Sequence, residues 1–307
     1  MNAPVAVFGY NRPSHLRIAI DALLKNPESS NTDLFIFIDG PKSLDSDSDS
    51  IQMCKDFARS VSGFKTVTTR FHQENIGLAK SIRYGVDSVF KKYDSIIVIE
   101  DDIVLAPTGL QFLNEGLARY KYEARISSIH AYQYPITEEF AECVLLRGAD
   151  CWGWATWKNR WEATVFDSQK LRNQILEQGL RSKFDLDGSM QYLKMLDNQT
   201  KGKIDSWAIC WHASMFLQNR FTVFPPKPLG ANIGTDGTGS HAGSRDIFKV
   251  FVSHDSSWVF PEVIEESVPY RQAMIKFYKE KMPQVGKVTR LAKRLASIFL
   301  LKKDNQK

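Results

Sequence analysis

Three carboxylates stand in a row at residues 100–102, directly after an apolar run. The segment SIIVI at residues 95–99 has the pattern of a buried strand, and Glu100, Asp101 and Asp102 follow it. Like charges this close repel one another, and burying them is costly unless a positive charge lies beside them. Carboxylate oxygens suit a hard divalent cation such as Mg²⁺ or Mn²⁺, which usually also binds substrate phosphates. The alternative interpretation of the triplet is a solvated acidic turn.

The elements before the triplet alternate between strand and helix patterns, which predicts parallel βαβ units in one sheet. The predicted strands are Pro4–Tyr10, Leu34–Gly40, Lys65–Phe71 and residues 95–100. The predicted helices are Ser14–Asn26, with Ser14 as N-cap, Ile51–Val61 and Gly77–Tyr93. In such sheets ligands bind beyond the carboxyl ends of the strands.

Several polar residues follow these strands, and we expect them at the same sheet edge as the acids. Asp39 could accept a hydrogen bond from the imide of a uracil or thymine ring, and Tyr10 could stack on that ring. Arg12 and Lys80 could bind phosphates, with Asn75 nearby. Each has a plainer alternative, since Lys80 suits a helix surface and Arg12 a local ion pair. Together they predict a nucleoside-diphosphate pocket with a metal.

The second part of the chain is less regular. Helices are predicted over residues 109–121, 168–199 and 205–219, and strands over residues 126–132, 143–148 and 221–226. We expect one domain, residues 1–285, with a nucleotide-binding half at 1–107 and an acceptor half at 108–285.

The order of these parts resembles the GT-A glycosyltransferases. It is most similar to the inverting branch with N-acetylglucosaminyltransferase I and protein O-mannose N-acetylglucosaminyltransferase, and to bacterial relatives in surface polysaccharide synthesis. The matching segments are VFGYNRP, FIDGPK, ENIGLAKSIRYGV, VIEDDIVLAP, GWATW and DSW. The resemblance covers most of residues 4–240. It implies an α/β fold with a Rossmann-like, mixed and mostly parallel sheet flanked by helices.

The resemblance also implies roles for the acidic residues. Asp102 would bind the Mn²⁺ or Mg²⁺ that bridges the diphosphate of a nucleotide sugar, such as UDP-N-acetylglucosamine. Asp101 would hold the ribose or groups around the metal, Glu100 the transferred sugar, and Asp39 the base. Asp205 would be the general base on the hydroxyl of a glycan or lipid-linked acceptor.

Elementary chemistry agrees with an inverting displacement, because the metal neutralises the leaving phosphate and a carboxylate on the opposite face takes the proton. Asp205 opens a predicted helix, whose N-terminal dipole favours its ionised form. The alternative for Asp205 is a plain N-cap. Asp150, Asp167 and Asp187 stay open as rival bases.

Four tryptophans fall within residues 150–161. Large aromatic side chains fill cores more often than they bind sugars. The resemblance implies that Trp152, Gly153 and Trp154 wall the sugar and acceptor. We expect Trp154 or Trp152 in the site, and Trp157 and Trp161 in the core.

The loop at residues 232–243, NIGTDGTGSHAG, contains four glycines. Such a loop suits a flap whose amides approach a diphosphate, and His241 could complete the metal shell or contact phosphate. A surface loop with an uninvolved histidine is the alternative.

The formal net charge is +5, but residues 286–307 alone carry +6. The body is therefore not a general nucleic-acid surface. From Lys287 onward, apolar and basic residues separate onto two helical faces, which predicts an amphipathic C-terminal helix on a membrane surface. Packing of this helix on the body or on a second subunit is the alternative.

The remaining features indicate a cytoplasmic protein peripheral to the inner membrane face. No apolar run reaches the length of a membrane span, and we expect no signal peptide. The four cysteines lack metal-ligand spacing and are expected to be reduced. Two rivals remain: a nucleotidyltransferase, which usually needs a Gly-rich loop after the first strand, and a non-catalytic carbohydrate-binding protein.

Overall fold

A computed structural model describes residues 2–43, 47–234 and 247–282 of the chain. Its strands are β1 Val5–Gly9, β2 Asp33–Ile38, β3 Thr66–Phe71, β4 Ser95–Glu100, β5 Ile103–Leu105, β6 Ile126–His130, β7 Val144–Arg147, β8 Trp154–Trp157, β9 Phe221–Phe224 and β10 Gly230–Asn232. Its α-helices are α1 Pro13–Leu24, α2 Ser48–Ser60, α3 Leu78–Val89, α4 Gly109–Arg119, α5 Lys158–Glu162, α6 Ser168–Glu177, α7 Arg181–Phe184, α8 Tyr192–Thr200, α9 Trp207–Leu217 and α10 Val268–Lys281.

One sheet of eight strands, in the order β3-β2-β1-β4-β8-β6-β9-β7, forms the centre of the molecule. Strands β1 to β4 are parallel, as are β6 and β9, whereas β8 and β7 run antiparallel to their neighbours. The predicted fold class is thus confirmed as a Rossmann-like, mixed and mostly parallel sheet flanked by helices. The predicted amphipathic helix at residues 286–307 lies outside the described residues.

The order in which successive strands are added to the sheet changes direction next to β1. Strands β2 and β3 extend the sheet on one side of β1, and β4 then pairs with the other side. A crevice beyond the carboxyl ends of two such strands is the usual ligand site of an open α/β sheet. Residues 10–12 follow β1 at this point, and residues 100–102 complete and follow β4.

Both faces of the parallel strands β1, β2 and β4 are buried, which explains their largely apolar sequences, whereas the edge strand β3 is partly exposed. Val5 and Val7 of β1 pack on the face covered by α1, α2 and α4. Ala6 and Phe8 point to the opposite face, which α3 and α9 cover. This alternation follows from the period of two in a β-strand.

The beginning of α1 differs from the prediction. The helix starts at Pro13, and Arg12 rather than Ser14 occupies the N-cap position, with no side-chain cap. Proline fits the first helical turn because the amide it lacks has no partner there in any case. The guanidinium of Arg12 is therefore free to point into the crevice.

Other boundaries also depart from the predictions. Residues 168–199 form three helices instead of one, with positive φ angles at Gly179 and Gly188 between them. Strands β5, β8 and β10 and helix α10 were not predicted. No helix in the described part of the chain has the length and apolar character needed to cross a bilayer.

A small second sheet joins distant parts of the chain. Strand β10 pairs antiparallel with β5, just after the acidic triplet. The amide of Ile233 donates to the carbonyl oxygen of Asp102 at 2.8 Å. A Cβ atom on Gly234 would lie 2.3 Å from Oδ2 of Asp102, so only glycine fits there without a shift of that carboxylate. The chain thus enters residues 235–246 directly beside Asp102.

Candidate active site

The positive charge beside the acidic triplet comes from Arg12. Strand β4 ends at Glu100, and Asp101 and Asp102 form a turn, so both aspartates reach the same neighbour. Nη2 of Arg12 donates to Oδ1 of Asp101 and, at 2.9 Å, to Oδ2 of Asp102. The side chains of Arg12, Asp101 and Asp102 are 18%, 5% and 15% exposed. Arg12 was predicted to bind phosphate, but here it forms the local ion pair named as its alternative.

Glu100 is different, because its carboxyl has no hydrogen-bond or ion-pair partner within the described residues. Burial, reinforced by Asp102 and Asp101, raises the pKa of Glu100 to about 8. Burial also raises the pKa of Asp101 to about 6, although Arg12 opposes the shift. Glu100 therefore offers a carboxyl group that has no partner among the described residues and can bind a ligand.

Asp39 was predicted to bind the base of a nucleotide. In the structure its carboxylate instead holds a loop in place. Its Oδ1 accepts from the amides of Gly40, at 2.8 Å, and Ile76, at 3.0 Å, and its Oδ2 accepts from Gly77 at 3.0 Å. The side-chain amide of Asn75 donates to the carbonyl oxygen of Gly40 at 3.0 Å. Asp39 and Asn75 thus hold together the loops after β2 and β3, and these contacts use most of the acceptor capacity of Asp39.

Asp205 lies at the same edge. The N-cap of α9 is Ser206, whose hydroxyl accepts from the amide of Ile209 at 3.4 Å, so Asp205 is not the cap. Its carboxylate is exposed and lies beside the loop that Asp39 fixes, since a Cβ atom on Gly77 would be 3.3 Å from its Oδ2. Asp205 is therefore an exposed carboxylate at this sheet edge that does not cap α9.

The remaining predicted nucleotide ligands are accessible. The hydroxyl of Tyr10 donates to Oδ2 of Asp47 at 3.2 Å, and Nζ of Lys42 lies 5.8 Å from the centroid of its ring. Lys80 is exposed on the first turn of α3. The predicted ligand His241 lies outside the described residues.

The tryptophan prediction needs correction at Trp154. This side chain is completely buried, and its ring lies 4.2 Å from that of Trp211 and 5.4 Å from that of Trp207. It therefore presents no face to a ligand. Trp157 and Trp161 are buried in the core, as predicted.

Gly153 also does not form a wall. It is buried with φ +74°, a conformation that favours glycine, and a Cβ atom on it would lie 3.1 Å from Cγ2 of Ile103. Its function is the turn that enters β8. Trp152, in contrast, is half-buried and lines a cavity.

This cavity has a volume of about 220 Å³ and lies between the β7–β8 connection and helices α8, α9 and α10. It adjoins the acidic triplet through Cys151, one of its lining residues. Burial raises the pKa of the Cys151 thiol, and the charges of Asp150, Glu100 and Asp102 contribute to the shift. All four cysteines are free thiols. We call this space the side cavity.

The aromatic rings around the side cavity were not predicted from the sequence. Tyr134, Tyr192 and Tyr278 come from three separate parts of the chain and contact one another only after folding. No motif marks them, and the only signal was Asp150, which was named as a rival general base.

The donor chemistry of the triplet fits a hard divalent cation bound by few protein ligands. Asp102 supplies a carboxylate oxygen at the crevice, and its Oδ1 has no partner within the described residues. Those residues contain no cluster of three or more His, Cys, Asp or Glu side chains that would enclose a metal. This suits an ion held by one or two carboxylates together with substrate phosphates, as is common for Mg²⁺.

Comparisons with known proteins do not establish a function, so the function has to be inferred from the site. No family model and no curated protein matches the sequence. A crystal structure of S. aureus TarS aligns at 11% identity and TM-score 0.32, over 47% of this chain and 25% of that one. The structure of S. aureus TarS 1-349 aligns at 12% identity and TM-score 0.30, over 46% and 41%. The chain spans less than half the length of either structure, and likenesses this weak carry no argument about activity.

Proposed function

We propose that this chain is an inverting glycosyltransferase that binds a nucleotide sugar in the crevice between β1 and β4. The observation that carries the proposal is the placement of Glu100, Asp101 and Asp102 at the switch point of the sheet, with Arg12 beside them. The exposed Asp205 faces the same edge. Carboxylates and a cation at this point suit the ribose, sugar and diphosphate of such a ligand.

Each group has a distinct task in this proposal. Glu100 holds a hydroxyl of the transferred sugar, because its carboxyl has no partner among the residues that the structure describes. Arg12 places positive charge beside the diphosphate. Asp205 takes the proton of the acceptor hydroxyl. As it does so, the hydroxyl oxygen forms a bond to the anomeric carbon and the bond from that carbon to the diphosphate oxygen breaks.

Asp102 is the residue that would hold Mn²⁺ or Mg²⁺. When bound, the cation neutralises negative charge on the leaving diphosphate. Arg12 already compensates part of the charge of Asp101 and Asp102, which keeps the two carboxylates together before any ligand arrives.

The finer assignments follow the sequence resemblance. We infer a UDP-sugar such as UDP-N-acetylglucosamine as donor, and a glycan or lipid-linked saccharide in surface polysaccharide synthesis as acceptor. The basic segment at residues 286–307 would hold the enzyme at the cytoplasmic face of a membrane, since each basic residue near an anionic leaflet contributes about 1 kcal/mol.

Calorimetric titration with UDP, in the presence and absence of Mn²⁺, tests the proposal. We expect metal-dependent UDP binding that Asp102→Ala abolishes. Asp56→Asn, which alters an exposed carboxylate on α2, serves as the matched control and should bind like the wild type. Equal UDP affinity without metal would show that Asp102 does not act through a cation. If neither UDP nor dTDP binds, the transferase proposal fails and the carbohydrate-binding alternative leads.

A further inference from the structure

The side cavity combines one carboxylate with a wall of aromatic rings. Among the described residues that line it, Asp150 is the only acidic one. Six aromatic side chains surround the space: Tyr134, Trp152, Tyr192, Phe224, Phe248 and Tyr278. The proposed transferase chemistry in the crevice does not use these groups.

The carboxylate of Asp150 has hydrogen-bond donors but no cationic partner among the described residues. Its Oδ2 accepts from the hydroxyl of Tyr134 at 2.6 Å, and its Oδ1 accepts from the amide of Cys151 at 2.7 Å. The closest ionisable nitrogen is Nε2 of His130, at 3.8 Å. This nitrogen accepts a hydrogen bond from the amide of Trp152 at 3.0 Å and so carries no proton. Burial lowers the pKa of His130, which favours the same neutral form.

Arg147 is the only arginine or lysine among the described lining residues, and its guanidinium binds other groups. Its Nε donates to the carbonyl oxygen of Phe216 at 2.8 Å, and its guanidinium stacks 4.2 Å from the centroid of the Phe216 ring. These contacts bind Arg147 to the C-terminal end of α9, and its backbone amide donates to Oε1 of Glu266 at 3.1 Å. The charge of Asp150 is thus uncompensated on the described side of the cavity.

The rings are suited to receive a cation. The hydroxyl of Tyr134 donates to Asp150, and the rings of Tyr134 and Tyr278 meet edge to face with their centroids 5.9 Å apart. Trp152 and Phe248 meet edge to face at 5.4 Å on another side of the cavity. Faces of Trp and Tyr rings attract cations, and the attraction grows when water is excluded. An anion within such a cage therefore favours a positively charged guest.

We infer that the side cavity binds the protonated amino group of an amine-bearing saccharide, with Asp150 as its counter-ion. The saccharide rests on the proposed function, whereas the cationic group follows from the cavity itself. A cavity of about 150 Å³ holds a benzene molecule. The side cavity, at about 220 Å³, has room for one pyranose ring. Its lining residue Cys151 is close enough to Glu100 and Asp102 for their charges to raise the pKa of its thiol, so such a ligand would lie near the proposed reaction site.

Ligand-observed NMR titration tests the inference by comparing the affinities of three sugars of similar shape. D-glucosamine carries a protonated amine at about pH 6, whereas N-acetyl-D-glucosamine and D-glucose are neutral. We expect glucosamine to bind at least about tenfold more tightly than either neutral sugar, and tetramethylammonium to compete with it. Asp150→Asn should remove this preference, while Asp56→Asn should keep it.

A second variant separates lost recognition from lost folding. Trp152→Leu removes a ring but leaves Asp150 in place, and it should weaken glucosamine binding about fivefold or more. Circular dichroism checks that both variants are folded. Equal affinity for the three sugars, no binding of any of them, or an unchanged preference in Asp150→Asn would each overturn the inference.

UDP binding distinguishes this inference from the proposed function. Asp150 does not lie in the nucleotide crevice, so Asp150→Asn should bind UDP within about twofold of the wild type. If UDP does not bind but glucosamine is still preferred, the cation site stands and the transferase proposal fails. If UDP binds and the three sugars do not differ, the transferase proposal stands and the cation site fails.

Discussion

Nη2 of Arg12 lies 2.9 Å from Oδ2 of Asp102, although 90 positions of sequence separate the two residues. The parallel pairing of β1 with β4 produces this contact, because both strands end at the same edge. The side chains are mostly buried, so the ion pair is shielded from solvent more than a surface pair would be. It compensates an acidic turn that the fold otherwise could not bury.

Arg12→Gln tests this compensation. Loss of the guanidinium leaves Asp101 and Asp102 without their cation, and we expect destabilisation of roughly 1–3 kcal/mol in urea unfolding at neutral pH. UDP affinity should fall at least about tenfold, because a charge-assisted contact is lost. Lys91→Gln changes an exposed lysine and should have neither effect. Unchanged UDP affinity in Arg12→Gln would remove Arg12 from the nucleotide site.

Asp205→Asn and Ser206→Ala form a matched pair at the start of α9. The first removes the proposed base and should lower the transfer rate at least about a hundredfold, with UDP affinity within about twofold. The second removes the helix cap and should cost about 1 kcal/mol of stability with little change in rate. Transfer assays and urea unfolding on both variants check this. The reverse pattern would identify Asp205 as structural.

Asp39→Asn probes the loop that supports Asp205. Asparagine replaces one acceptor oxygen with a donor, which leaves a backbone amide of residues 76–77 without its partner. We expect a loss of about 1–3 kcal/mol of stability and faster hydrogen exchange at Ile76 and Gly77. If hydrogen exchange at these amides is unchanged, Asp39 does not hold the loop.

Trp154→Phe tests the correction from a ligand-binding to a core residue. The smaller ring leaves space against Trp207 and Trp211, so stability should fall by roughly 1–3 kcal/mol. UDP affinity should stay within about twofold of the wild type. Thermal melting and calorimetry measure the two quantities. A variant that keeps its stability but loses UDP would restore Trp154 to the site.

Glu100 predicts a pH dependence in the ligand-free protein. Its folded-state pKa of about 8 exceeds the ordinary value of 4.5, so the folded state binds the extra proton between these values. Stability from this group is therefore full at low pH and is lost as pH rises toward about 8. The variant Glu100→Gln should not lose stability in this way as the pH rises, because glutamine does not titrate.

The melting temperature of Glu100→Gln relative to the wild type should accordingly increase from about pH 5 to about pH 8.5, by roughly 2 °C or more. Glu115→Gln, on the exposed face of α4, should show no such trend. A constant difference across this range would mean that Glu100 titrates normally.

The parallel part of the sheet could be predicted because three of its strands, β1, β2 and β4, are buried on both faces. Continuous apolar runs such as residues 95–99, separated by amphipathic helices, allow few other arrangements. The gathering of Arg12 with the acids followed from the same logic. Its actual partner could not be predicted, since phosphate and carboxylate both attract a guanidinium.

The later part of the chain was harder to predict for identifiable reasons. Strands β5 and β10 have three residues each, too few to show a period of two. Trp152 and Trp154 lie two positions apart, yet the turn at Gly153 directs one into a cavity and the other into the core. The environment of Asp150 depends on rings from α8 and α10, which only the tertiary structure brings together.

The pairing of β4 with β8 and of β5 with β10 has a consequence for dissecting the protein. A chain cut after residue 107 would keep Arg12 and the acids but expose one whole edge of β4. An apolar edge strand of this kind readily pairs with another molecule. We therefore expect such a fragment to aggregate unless the complementary fragment is co-expressed to cover that edge.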